Sequence, residues 1–402
     1  MVEFKLKLVK FTRDAMIYVE GSKNSGNFYI IKSGKVKITR NLEVVDDPSL
    51  NMLKEGDYFG VVACMSKRPR LETATALTDT TLISVQYEQF EELIRKNNSV
   101  ALKILKLYSQ KLRSFDNAIT RISLKKPISS NPEALFDIGV HFYNEQEYKQ
   151  ARYAFTQYTK FCPNSGNSPK AFEYLEKLKT KLPQAQYFTQ QTPLVRKYFD
   201  QSILFCEHEP GDDVFIIQQG KIKIIKISGE NEILLAVLNP GDILGEMSLI
   251  ENQPRSATAV AFGDVVTLVI NKQNFMIMVK NQPQIVMKII NLLSERIWIA
   301  YRQLENTAIP DPFGRAADIL LIQLEKMRIE CAPRKAYRFD FGTDELVDML
   351  GLDKEKGLEA VRKLLENSNF KVQEGKVMVM DTDTLFKMVE GYRKKIRQDS
   401  LG

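Results

Sequence analysis

LGEMSLIENQPRSATAVAF, Leu244–Phe262, holds the residues that decide the fold and point to a ligand. A short apolar run ends at Gly245, a turn of helix is expected over Glu246–Leu249, and after Pro254-Arg255-Ser256 an alternating run resumes as a strand. Gly245 allows close approach to the backbone, and the start of the helical turn, with Met247 and Ser248, offers N–H donors. Arg255 adds a cationic fork and Ser256 a hydroxyl donor. These are the parts of a phosphate site. Glu246 would repel a bare anion, but its carboxylate makes sense as the acceptor of a ribose hydroxyl, which is what separates a nucleotide from phosphate.

Working outward, the same pattern occurs earlier as FGVVACMSKRPRLETATAL, Phe59–Leu77. The spacing from Gly60 to Arg70 equals that from Gly245 to Arg255, and each glycine closes a Gly-Asp run, GDYFG and GDILG. Upstream, GNFYIIKSGKVKI (Gly26–Ile38) and GDDVFIIQQGKIKI (Gly211–Ile224) each place a glycine between two alternating runs, the mark of a hairpin. Downstream, TTLISVQ (Thr80–Gln86) and VVTLVIN (Val265–Asn271) lead into amphipathic helices. A small β-barrel followed by helices is thus expected twice. The first copy keeps Gly60, Arg70 and Thr73, but Val61 stands where Glu246 does, and Glu72 where Ala257 does. Without a ribose acceptor and with an extra negative charge, the first copy is expected to be structural or altered in its ligand.

The second stretch resembles the phosphate-binding cassette of the cyclic-nucleotide-binding domain family, which includes bacterial cyclic AMP receptor proteins and protein kinase A regulatory subunits. That resemblance implies a jelly-roll barrel in which Gly245, Glu246, Met247 and Ser248 face ribose and phosphate and Arg255 and Ser256 face the cyclic phosphate. The implied effector is a cyclic nucleotide, cyclic AMP ahead of cyclic GMP, with no metal. Along Pro283–Leu304, Val286, Ile290, Leu293, Ile297, Ala300 and Leu304 alternate four and three apart, a short heptad seam. In receptor proteins of this family that helix is the dimer interface and closes over the base. The resemblance therefore implies a homodimer, with Ala300 and Tyr301 at the base; burial of the seam against its own barrel is the competing reading.

Between the copies, Pro132–Leu182 is helical by period. Leu135, Ile138, Gly139, Phe142, Ala151, Phe155, Tyr158 and Pro163 fall at tetratricopeptide spacing for about one repeat. Such a unit needs something to pack on, so it reads either as a spacer packed on the barrels or as a docking surface for a protein partner. Beyond the seam, DPFGRAADILL (Asp311–Leu321) continues the family resemblance. TDELVDMLGLDKEKGLEAVRKLLENSNF (Thr343–Phe370) reads as helix, glycine turn, helix, with Thr343 as cap and Leu358, Val361, Leu364 and Leu365 as the second helix's buried face. The following hairpin, closed by Gln373-Glu374-Gly375, makes this a winged helix-turn-helix, with Lys354, Lys356, Arg362 and Lys363 as candidate contacts to double-stranded DNA. Asp353, Glu355 and Glu359 oppose that reading, and a winged helix used for protein contact is the alternative.

The net charge of +7 permits a polyanionic partner, and the densest basic run is Tyr392–Arg397. Four scattered cysteines and two isolated histidines offer no metal spacing, and no nucleophile with a base is evident, so an enzyme is not expected. The N-terminal MVEFKLKLVKF is no signal peptide and no apolar run spans a membrane, which points to the cytoplasm. The expected α+β organisation is a first barrel over 1–125, a helical insert over 130–184, a second barrel with its helix over 188–308, a winged helix over 309–385 and a basic tail over 386–402. The rival function is a nucleotide-sensing scaffold that binds proteins and not DNA.

Overall fold

The computed structural model describes residues 6–42, 51–124, 132–182, 187–228, 231–352 and 354–399. In chain order, β1 (Lys7–Phe11), β2 (Met16–Tyr18), β3 (Asn27–Ser33), β4 (Val36–Thr39), β5 (Met52–Leu53), β6 (Tyr58–Phe59), α1 (Val61–Ser66), β7 (Thr73–Ala76) and β8 (Thr80–Gln86) lead into α2 (Phe90–Lys96) and α3 (Asn98–Leu124). Helices α4 (Ala134–Asn144), α5 (Tyr148–Phe161) and α6 (Ser168–Lys181) come next. The second set of strands is β9 (Phe188–Thr192), β10 (Val195–Tyr198), β11 (Ile203–Phe205), β12 (Asp213–Ser228), β13 (Asn231–Leu238) and β14 (Ile243–Leu244), then α7 (Glu246–Glu251) and β15 (Thr258–Asn271). The chain ends with α8 (Lys272–Asn281), α9 (Pro283–Thr307), α10 (Pro312–Lys326), β16 (Tyr337–Arg338), α11 (Thr343–Leu350), α12 (Lys354–Glu366), β17 (Phe370–Gln373), β18 (Lys376–Val379) and α13 (Thr382–Asp399). Among the described residues no helix is long and apolar enough to cross a membrane.

Two compact units result. One combines Met1–Ala118, Ile277–Asp340 and Lys363–Gly402; the other combines Ile119–Met276 and Phe341–Arg362.

In the first unit, two four-stranded antiparallel sheets, β1-β8-β3-β6 and β2-β7-β4-β5, form a jelly-roll barrel. The period-2 pattern sends Val36 and Ile38 inward and Lys37 outward, and Tyr18, Ile31, Phe59, Ala74 and Leu82 complete the core. Helix α9 packs on α1 and α2, and α10 packs on α9 and α13. The whole heptad seam, Val286, Ile290, Leu293, Ile297, Ala300 and Leu304, is buried within this unit. This corrects the expectation that the seam is kept for a second copy, because an apolar stripe is satisfied by any apolar cover. The three-stranded sheet β16-β18-β17 turns at Glu374-Gly375, both at positive φ. Two adjacent positive φ values match the right-handed strand twist of a two-residue hairpin.

The second unit's barrel is one rolled antiparallel sheet of seven strands, in which the long β12 and β15 pair along most of their length. Their register shifts at Ile217/Gln219 and Gln219/Lys221, bending both strands from one face of the roll to the other. Gly220 sits at this bend with φ 81°, and a Cβ there would fall 2.3 Å from the Asp264 carbonyl oxygen. No other residue fits. Helices α4 and α5 interlock where Gly139 admits the Phe155 ring, and their apolar face continues into Ile203, Cys206, Ile225 and Val260 of the barrel. The barrel thus supplies the packing partner that a lone helical pair needs.

Helix α11 also packs on β13 in this unit. Its first turn is held by the Glu345 carboxylate accepting the Gly342 N–H at 3.0 Å, so Gly342 and not Thr343 marks the start. Gly351 ends it in the left-handed conformation. On α12, Ala360, Val361 and Leu364 are buried but Leu358 is half exposed, a correction to the expected apolar face. Gly357 takes the inward position instead, where a Cβ would lie 2.8 Å from Val347.

Candidate functional site

Each barrel builds its cassette the same way. Gly60 and Gly245 cap a six-residue helix in the left-handed conformation, at φ 74° and 83°. Ten residues on, an arginine turns back to the glycine: Arg70 Nη1 donates to the Gly60 carbonyl at 3.0 Å, and Arg255 Nη1 to that of Gly245 at 2.8 Å. The second arm of each donates at 2.8 Å to the first residue of the hairpin strand that precedes the cassette, the carbonyl of Asn27 or Asp213. Each guanidinium lies 4.4 Å over an aromatic ring, Tyr18 in the first barrel and Phe205 in the second. A buried cation is held by carbonyl dipoles and a ring face rather than by an ion pair.

The two arginines differ at Nε. In the first barrel it donates to the Asn24 carbonyl at 3.2 Å. In the second, Arg255 Nε is buried without a hydrogen-bond partner among the described residues. The space beside it exists because residue 211 is glycine: a Cβ there would fall 2.4 Å from Nε. A buried unsatisfied donor costs free energy, and an anion beside it would supply the missing acceptor. Ser248 Oγ accepts from Arg255 Nη1 at 2.8 Å and donates to the Gly245 carbonyl at 2.9 Å. Glu246 is buried at the start of α7, and Ser256 Oγ lies 3.7 Å from Met247 Sδ. Burial pushes the Arg255 guanidinium below its ordinary pKa, opposed by Glu209, Asp213 and Glu246.

Gly245, Glu246, Met247, Ser248, Arg255 and Ser256 are therefore gathered at one place. Tyr301 is placed differently from expectation: it packs in the first unit, its hydroxyl donating to Glu20 Oε1 at 2.9 Å and its ring 5.6 Å from that of Phe115. Its helix follows the first barrel's apolar surface, which fixes the side chain there.

In the first barrel, Glu72 points into the cassette. Its carboxylate receives Arg40 Nη2 at 2.7 Å, Lys111 Nζ at 3.1 Å and the Tyr18 hydroxyl at 3.3 Å. Burial pushes the Glu72 carboxyl up, but Lys111 and Arg40 outweigh it and hold the pKa at about 2. Neither cation stood out in the sequence, although a signal exists. Arg40 follows Gly34 at the same distance as Lys226 follows Gly220, and Lys226 is likewise buried, paired with Glu207 at 3.0 Å. The insert reaches the second site too, as the Tyr153 hydroxyl donates to the Glu209 carboxylate at 3.2 Å and the Arg255 N–H donates to the Glu209 carbonyl at 2.9 Å.

The first cassette is fastened to the C-terminal helices. Arg68 bonds Glu295 at 3.1 Å and the Glu325 carbonyl at 2.6 Å, and Arg328 donates to the Ser66 carbonyl at 2.8 Å. Of the candidate DNA contacts, Lys356, Arg362 and Lys363 are exposed on α12, while the side chain of Lys354 lies outside the described residues. In the basic run, Arg393 is buried and forks onto Asp318 at 2.5 and 2.9 Å, so it is not a phosphate contact; Lys394 and Lys395 are exposed, and the side chain of Arg397 lies outside the described residues.

The model of the cyclic nucleotide-binding domain family matches residues 8–97 and again 195–282, one stretch in each barrel. The particular relatives are regulators. The chain is 24% identical over 183 residues to a CRP-like cAMP-activated global transcriptional regulator of Mycobacterium tuberculosis, covering 45% of this chain and 82% of the relative. It is 27% identical over 188 residues to the cAMP-activated global transcriptional regulator CRP of Salmonella typhimurium, covering 46% and 89%. Among solved structures, a CooA mutant from Carboxydothermus hydrogenoformans matches with TM-score 0.42 at 17% identity, covering 50% of this chain and 88% of that one.

Proposed function

We propose that this protein is a cytoplasmic, cyclic-nucleotide-responsive transcription regulator. In this reading the second barrel holds the nucleotide, cyclic AMP ahead of cyclic GMP, and the C-terminal segment is a winged helix that binds double-stranded DNA. The observation that carries the ligand is the buried, partnerless Nε of Arg255, in space kept open by Gly211. A cyclic phosphate gives that N–H an acceptor, with Ser248 and Ser256 as neighbouring hydroxyls and Glu246 as the ribose acceptor. The output reading is supported by the two helices that meet at Gly351, the following hairpin, and exposed Lys356, Arg362 and Lys363. The tetratricopeptide-like insert serves as a spacer, since its apolar face is shared with the barrel.

Calorimetry with cyclic AMP and cyclic GMP on the wild type and on Arg255→Ala tests the ligand. Binding to the wild type should weaken on the order of 100-fold in the variant, as expected when a hydrogen-bonded charge partner is removed. No heat from either nucleotide in the wild type refutes the cassette reading. For the output, DNA retardation should respond to nucleotide and fall steeply with salt. A second reading, protein contact by the same helix, is favoured by half-exposed Leu358 flanked by exposed Glu355 and Glu359. Absence of salt-sensitive DNA binding with and without nucleotide selects it.

A further inference from the structure

The first barrel's cassette is closed around a charge of its own. Glu72 is 5% exposed, and the cavity lined by Tyr18, Arg40, Gly60, Arg70, Glu72 and Lys111 measures about 10 Å³. That is room for one water at most. The three groups that meet the carboxylate come from different elements: Arg40 follows β4, Lys111 is on α3 and Tyr18 ends β2. Ile297 of α9 and Phe115 of α3 line the same cavity. At the matching position the second barrel has Ala257, which brings no charge.

We propose that Glu72 is a ligand carried by the chain itself, its carboxylate filling the cavity beside the first barrel's cassette and joining strand, cassette and following helix as a bound anion would. The first barrel then needs no diffusible effector. Its ribose position, Val61, offers no side-chain acceptor, and each of the three nitrogens of its arginine donates a hydrogen bond, including Nε to the Asn24 carbonyl. The inference rests on the first barrel's own geometry and does not depend on nucleotide binding by the second. It also gives a reason for the fastening of Arg68 and Arg328 between α1, α9 and α10: a cassette fixed by an internal anion is a rigid anchor for the helices that lead to the output.

Chemical rescue tests it on the full chain. Glu72→Ala should lower the unfolding transition by roughly 5–10 °C, the scale of a buried ion pair broken on one side. Acetate or formate, compared with chloride at equal ionic strength, should restore much of that loss in a saturable way by occupying the vacated carboxylate position. Glu72→Gln, which fills the same volume without charge, should be destabilised and not rescued. A second measurement covers the case in which Glu72→Ala does not fold. Lys111→Met should cost several degrees in the wild type and much less in the Glu72→Gln background, because its partner is already gone. The proposal is overturned by a Glu72→Ala protein as stable as the wild type, by acetate acting equally on wild type, Glu72→Ala and Glu72→Gln, or by an equal cost of Lys111→Met in both backgrounds. None of these readouts involves a cyclic nucleotide, so they fail or succeed apart from the second barrel's ligand.

Discussion

Glu209 shows how a single side chain ties the helical insert to the second cassette and makes that unit sensitive to pH. Its carboxylate accepts from the Tyr153 hydroxyl and from the Cys206 N–H at 2.9 Å, and its own carbonyl receives the Arg255 N–H. Burial raises its pKa from 4.5 to about 7, against the opposing pull of the Cys206 N–H, Arg255, Tyr153 and Lys160. A carboxyl whose folded pKa is raised binds its proton more tightly in the folded state. Its stabilising effect is therefore full below the unfolded value and is lost as pH rises through about 7. Glu209→Gln should match the wild type near pH 5 and exceed it in urea midpoint at pH 8; a difference that does not change with pH, or that reverses, sinks the assignment. Taking the difference between the two proteins cancels Glu232, whose pKa burial likewise raises to about 7. The cassette residues were legible in the sequence because Gly245, Glu246 and Arg255 sit at covalently fixed spacing. Arg40 and Lys111 were not, since folding brings them to Glu72 from 32 and 39 residues away.

At the scale of elements, α9 shows what hydrophobic periodicity can and cannot record. The four-and-three spacing from Val286 to Leu304 marks a buried face, and every one of those residues is buried. Spacing does not name the cover, and here the cover includes α1 and α2 of the first barrel. Polar anchors set the register: Ser294 Oγ lies 2.7 Å from the Tyr108 hydroxyl, and Asn291 donates to the Tyr87 hydroxyl at 3.1 Å. The same limit explains α12, where Leu358 fits an apolar period yet faces outward because Gly357 packs closely on Val347. Leu293 is 1% exposed at the middle of α9, so Leu293→Ala should cost about 3 kcal/mol through lost burial and the cavity left behind. Denaturant unfolding at protein concentrations differing 100-fold distinguishes the two covers. An intramolecular cover gives a midpoint that does not depend on concentration, whereas a seam between two chains gives midpoints that rise with it.

For the whole molecule, burial of that seam bears on assembly. A homodimer through α9 requires an apolar stripe open to a partner, and the stripe is already spent inside the first unit. The first barrel, with Glu72 fixed between Arg40 and Lys111, holds α9 and α10 through Arg68 and Arg328. The second barrel joins the same helix covalently through α8. A ligand in the second barrel acts on the output only if it favours one setting of that connection over another, since differential affinity alone shifts an equilibrium. Light scattering coupled to size exclusion should therefore return a mass near the chain's 46.1 kDa with and without cyclic nucleotide. A stable particle of twice that mass that Leu293→Asp converts to monomer without loss of folded structure would show that α9 is an intermolecular seam after all, and the single-chain account of the regulator would fall with it.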